Sequence, residues 1–149
     1  MMQQQRAHRQ SLHPGLCYGR DMTLQRTPRP VRATSASDFE VAKPLYAVWE
    51  LTMHCDQPCQ HCGSRAGAMR DEELTTAQAL EVVASLVNLG CREIALIGGE
   101  AYLRHDVLEI VRALADGGIR VVMQTGGRNF GKERARAFAE AGLSALGVS

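Results

Sequence analysis

Three cysteines fall within eight residues, at Cys55, Cys59 and Cys62, in the run CDQPCQHC. Thiolates are preferred protein ligands of iron–sulfur clusters and also bind zinc. A C-x3-C-x2-C loop can wrap three thiolates around three corners of a cubane. No fourth cysteine follows nearby, so the fourth iron would stay open to a small molecule. The same residues with His54 or His61 as fourth ligand would instead make a closed, structural Cys3His zinc site. Cys91 opens a predicted strand and reads as a small buried hydrophobe, and Cys17 lies in a polar stretch with no obvious partner. An odd total of five cysteines with this clustering is not a disulfide framework and fits a reducing, cytoplasmic setting.

Two further motifs carry chemistry-bearing residues. Gly98-Gly99-Glu100 would let a ligand approach the backbone and offers one acid to an ammonium group. Thr125-Gly126-Gly127 admits a cofactor or makes a plain tight turn, and it is no dinucleotide fingerprint because no G-x-G-x-x-G opens the following helix. Ser149 could donate a hydrogen bond to the same ligand. Glu50 is expected to pair with a nearby arginine. Arg65, Arg104 and Arg128 read as solvated loop arginines, His105 as surface decoration, and Tyr102 and Leu103 as packing residues.

The elements that must position these residues are legible from periodicity. LYAVWELTM (45–53) is a strand that runs into the cysteine loop. Thr75 with Gln78 forms a capping box, Leu80, Val83 and Val87 recur at helical spacing, and Gly90 supplies the stop. REIALIG (92–98) is a buried strand. Asp106 with Glu109 repeats the capping-box pattern ahead of an apolar stripe at Val107, Ile110, Val111 and Leu114, which Gly117-Gly118 ends. IRVVMQT (119–125), ERARAFAEAG (133–142) and LSALGVS (143–149) follow as strand, helix and strand. Strands alternating with helices imply right-handed crossovers and a parallel sheet, in a (β/α) barrel or a doubly wound fold. Both place ligands at the C-terminal ends of the strands, where all three motifs fall.

The remainder of the chain carries little chemistry. Residues 1–37 hold six arginines, one acid and three prolines with no hydrophobic periodicity, so residues 1–44 read as a disordered basic leader. Met22 is an alternative start. A net charge of +1 gives no electrostatic reason to expect nucleic acid or a membrane surface as partner. No apolar run approaches the roughly 20 residues that cross a bilayer. A chain that ends on its fourth parallel strand would leave an open apolar edge, so a fragment of a longer enzyme is expected.

The C-x3-C-x2-C loop after strand one, followed by GGE after strand two, resembles the radical SAM superfamily. The stretches YAVWELTMHCDQPCQHCGSRAG and IGGEAYLR are most similar to radical SAM/SPASM peptide maturases associated with GDL-motif peptides. The likeness runs from about Tyr46 to Ser149. It implies the N-terminal half of a TIM-type barrel, with four parallel strands and three helices over 45–149. It also implies that strands five and six and the C-terminal region with auxiliary clusters are missing. By the same resemblance Cys55, Cys59 and Cys62 would ligate a [4Fe-4S] cluster and serve catalysis. Gly98, Gly99 and Glu100 would receive the methionine ammonium of S-adenosylmethionine, His61 would lie against the adenine, and Thr125 and Ser149 would contact ribose or carboxylate. The implied activity is formation of a 5′-deoxyadenosyl radical that modifies a ribosomally made peptide, fed by a reductase, flavodoxin or ferredoxin. The alternatives are a small-molecule or haem-pathway substrate, or a non-catalytic iron–sulfur or zinc-binding remnant.

Overall fold

The computed structural model describes residues 43–149. The leader, with Cys17 and Met22, falls outside the described residues apart from positions 43 and 44. The described elements are β1 (Tyr46–Thr52), α1 (Thr76–Asn88), β2 (Glu93–Gly98), a 3-10 turn (Ala101–Leu103), α2 (Val107–Asp116), β3 (Arg120–Thr125), α3 (Lys132–Glu140) and β4 (Leu143–Val148). The four strands form one parallel sheet in sequential order, β1-β2-β3-β4. This is the expected α/β arrangement of four parallel strands and three helices. Sequential order with helical crossovers of one hand places the helices on one face.

Alternation along the strands sorts the two faces. Leu51, Ile94, Leu96, Val121 and Met123 join Val83, Ile110, Val111, Leu114 and Phe138 in a single core, with Trp49 packed against it. Glu50 and Thr52 alternate with these residues and belong to the other face. The α2 stripe is buried as its spacing predicts. In α1 the buried positions are Ala79 and Val83, while Leu80, expected in the stripe, is only half-buried and lies outside the core. The helix is turned so that small Ala79 faces its neighbours.

Helix ends follow local chemistry with one exception. Thr75 and Gln78 form the reciprocal capping box. Gly90 and Gly118 take positive φ values of 77° and 80° and close Schellman-type ends, with Cys91 N–H donating to Leu86 C=O and Ile119 N–H to Leu114 C=O. Cys91 is buried, as read. The expected Asp106–Glu109 box is not made: Asp106 stands at the N-cap position of α2, but its side chain makes no capping hydrogen bond because Arg104 and Thr76 hold it. Among the described residues β4 pairs with β3 alone, and Leu146 and Val148 are 36% and 67% exposed.

Candidate functional site

The cysteine loop leaves and re-enters the fold at one point. Cys55 N–H donates to Gly67 C=O at 2.9 Å and Gly67 N–H to Met53 C=O at 3.0 Å, so residues 55–66 form a loop pinched at its base. The base is tied down further by Glu73, whose carboxylate accepts from Thr52 Oγ1 at 3.0 Å and Met53 N–H at 2.8 Å. Within the loop all three cysteines are free thiols, Cys55 and Cys62 half-buried and Cys59 exposed. Backbone amides address two of them: Gln57 N–H lies 3.4 Å from Cys55 Sγ and Ala66 N–H 3.3 Å from Cys62 Sγ. Such donors are the contacts that tune cluster potential around thiolate ligands.

No three His, Cys, Asp or Glu side chains converge on a single ion among the described residues. Neither His54 nor His61, both exposed, closes a tetrahedral zinc site with the cysteines in this conformation.

The two glycines of GGE lie close against protein backbone. Gly98 has φ +138°, and a Cβ there would lie 2.2 Å from Thr52 O; at Gly99 it would lie 2.4 Å from His54 O. Gly99 N–H donates to Thr52 C=O and Glu100 N–H to His54 C=O, both at 2.8 Å. The close approach that glycine permits is therefore to the root of the cysteine loop. It welds the end of β2 to the end of β1.

Glu100 is 3% exposed, and its carboxylate is enclosed by donors. Thr125 Oγ1 donates to Oε2 at 2.5 Å, Gly126 N–H to Oε1 at 2.6 Å and Gln57 Nε2 to Oε1 at 2.9 Å. Thr125, expected to face a cofactor, is buried with its hydroxyl on Glu100. Gln57 is the residue that sequence reasoning missed. It lies between the first two cysteines and links their loop to Glu100, yet nothing in its local pattern marks it. A Cβ at Gly126 would meet Gln57 Nε2 at 1.9 Å, so a side chain there would push the Gln57 amide away from Glu100. Ser149 N–H donates to Thr125 C=O at 3.0 Å, which brings the end of β4 beside β3 while the Ser149 side chain stays exposed. His61 is not drawn into this group.

Beneath the loop lies a second polar constellation. Arg104, read as a loop arginine, is 6% exposed. Its Nε and Nη2 grip the two oxygens of Asp106 at 2.6 and 2.9 Å, and Nη2 also donates to Leu74 C=O at 2.7 Å. Thr76 Oγ1 adds a hydrogen bond to Asp106 at 2.7 Å, and Glu73 Oε2 approaches Arg104 at 3.9 Å. Burial works to raise the Asp106 carboxyl, but the hydrogen bonds from Arg104 and Thr76 and the positive charges of Arg104 and His105 outweigh it and hold it below the usual value. Glu73 is likewise lowered: burial opposes, and the donors Met53, Thr52 and Arg70 with the Arg104 charge prevail. Of the other polar residues, Glu50 pairs with Arg70, as expected of it, and Arg128 donates to Asp56 C=O.

The radical SAM superfamily profile matches residues 49–149. An AdoMet-dependent heme synthase of Methanosarcina barkeri is 36% identical over 107 residues, covering 71% of this chain and 31% of the relative. An Fe-coproporphyrin III synthase of the same organism is 33% identical over 112 residues, covering 74% and 28%. The chain thus spans about a third of the length of these curated relatives. Among solved structures, BtrN in complex with AdoMet and 2-DOIA superposes with a TM-score of 0.62 at 20% identity, over 70% of this chain and 45% of that one. Streptococcus suis SuiB bound to precursor peptide SuiA superposes with a TM-score of 0.55 at 19% identity, over 68% and 24%. These structures share the fold, and with three free cysteines in the loop after β1, Gly98-Gly99-Glu100 welded beneath it and a family match over residues 49–149, the chain belongs to the radical SAM superfamily.

Proposed function

We propose that Cys55, Cys59 and Cys62 hold a [4Fe-4S] cluster, that Glu100 receives the ammonium of S-adenosylmethionine, and that the protein modifies a ribosomally made peptide. The observation that carries this is the hydrogen bond between Gln57, inside the cysteine loop, and Glu100, a buried carboxylate at the end of the next strand. It puts the thiols and the acid in one site at the C-terminal end of the sheet. When bound, the pair supplies reductive cleavage of the sulfonium and removal of a substrate hydrogen atom. The chain's own residues do the positioning. The pinched base of the loop orients the thiols, and Gln57 N–H and Ala66 N–H donate to two of the sulfurs. Thr125 and Gly126 aim the Glu100 carboxylate, which would receive the ammonium. Gly98 and Gly99 keep the backbone of the two strand ends close, and in this reading His61 would lie against the adenine and Ser149 would contact the ribose or carboxylate. A flavodoxin, ferredoxin or reductase supplies the electron, and the cytoplasm keeps the thiols reduced.

SuiB, solved with its precursor peptide, supports the peptide reading by its shared fold. A second reading, a tetrapyrrole substrate on the haem pathway, is favoured by the identities of 36% and 33% to the two synthases. Anaerobic reconstitution tests the common core: a brown protein with about four irons and four sulfides per chain is expected. Dithionite and S-adenosylmethionine should then release 5′-deoxyadenosine. Stimulation of that release by a precursor peptide or by iron-coproporphyrin III tells the two substrates apart. A colourless protein holding one zinc would end both readings.

A further inference from the structure

Asp56 follows Cys55 directly, and it is the most thoroughly held residue of the cysteine loop. The Tyr102 hydroxyl donates to its carboxylate, 3.1 and 3.2 Å from the two oxygens. Asn129 Nδ2 donates to Oδ2 of the same carboxylate, and Arg128 Nη1 donates to the Asp56 carbonyl at 2.5 Å. Asn129 N–H donates in turn to the Tyr102 hydroxyl at 3.3 Å. These donors come from two places, Tyr102 from the turn after β2 and Arg128 and Asn129 from the loop after β3.

Aim is built into the phenol. The Tyr102 ring meets Phe130 edge-on at 5.7 Å, Phe130 rests on Phe138 at 5.3 Å, and the Arg134 guanidinium covers the Tyr102 ring at 4.5 Å. A ring locked in this way presents its hydroxyl in one direction. Packing alone would be served equally by phenylalanine, whereas the hydroxyl is one of two donors that converge on the Asp56 carboxylate, Asn129 Nδ2 being the other. The location also argues against an incidental contact. A carboxylate beside a thiolate that carries a cluster adds like charge, which is unfavourable unless the group is fixed by donors.

We propose that Tyr102 and Asn129 are positioning residues for the cluster loop, gripping Asp56 so that the turn between Cys55 and Cys59 is set against the ends of β2 and β3. This rests on the cluster reading above. The clamp makes cluster retention depend on two loops that supply none of the sulfur ligands.

The full chain, reconstituted anaerobically, is challenged with a ferrous chelator under reducing conditions, and iron loss is followed by absorbance. Tyr102→Phe and Asn129→Ala are expected to lose iron roughly tenfold faster than wild type, the scale of contacts that orient metal ligands. Asn129→Ala reads the same clamp from an exposed position should Tyr102→Phe fail to fold. The discriminating variant is an exchange of partners. N129D alone sets two carboxylates against each other and accelerates loss. D56N/N129D restores a donor facing an acceptor and returns the rate toward wild type, as general loosening of the loop would not. Wild-type rates in both Tyr102→Phe and Asn129→Ala, or a double variant that loses iron no more slowly than N129D, would overturn the clamp. Failure of the wild-type chain to take up iron would instead overturn the cluster reading, and the clamp with it.

Discussion

Two polar constellations share the C-terminal end of this sheet, and they are built on opposite plans. Around Arg104, Asp106, Glu73 and Thr76, charges are buried and every one has a partner; among the described residues no buried side-chain nitrogen or oxygen lacks a hydrogen bond. Around Cys55, Cys59 and Cys62, the strongest ligands of the chain stand in a loop, one of them exposed, bonded to no other side chain. The closed group ties the end of β1, the start of α1 and the start of α2 into one block. The open group is mounted on that block. The satisfied, buried group around Arg104 serves as scaffold, and the unengaged thiols mounted on it are the proposed seat of chemistry.

Arg104→Ala breaks the closed group most directly. It leaves Asp106 buried without its cation, and equilibrium urea unfolding should show a loss of about 3–5 kcal/mol. Gly98→Ala strikes the weld between the two groups. With φ +138° and a Cβ position 2.2 Å from Thr52 O, it should destabilise by at least about 2 kcal/mol in the same measurement.

Acid sharpens the contrast. Asp106 and Glu73 are held below their usual values, so their stabilisation is fully present above the unfolded carboxyl values near about pH 4 and is lost as pH falls through the lowered folded ones. Urea midpoints measured from neutral pH downward should fall below about pH 4, and D106N should flatten that fall. The smallest effect on stability belongs to the open group. Cys59→Ala, at an exposed position, should change apo-protein stability by no more than about 0.5 kcal/mol while abolishing iron uptake. A large stability loss there, or unchanged iron content, would erase the distinction.

Much of this molecule is written locally. The Thr75–Gln78 box, the stripe Val107, Ile110, Val111 and Leu114, and the glycine stops at Gly90 and Gly118 all involve residues a few positions apart, and each is found where its spacing predicts. The cysteine triplet is legible for the same reason, as three ligands of one type in one short loop. Asp106 shows where local reading misleads, because its capping pattern is genuine but Arg104 and Thr76 compete for the carboxylate and win.

What the amino-acid order determined by itself was the set of elements, their parallel stacking and the three thiols at a strand end, because helix periodicity, strand alternation and turn chemistry act over a few residues. Tertiary structure alone decided that Glu100 is enclosed by Gln57, Thr125 and Gly126, that Gly98 and Gly99 serve the backbone beneath the loop, and that Asn129 reaches Asp56 across 73 positions. Those contacts arise only once parallel strands bring loops distant in sequence to one end of the sheet, where a short polar side chain takes whichever partner the packing presents.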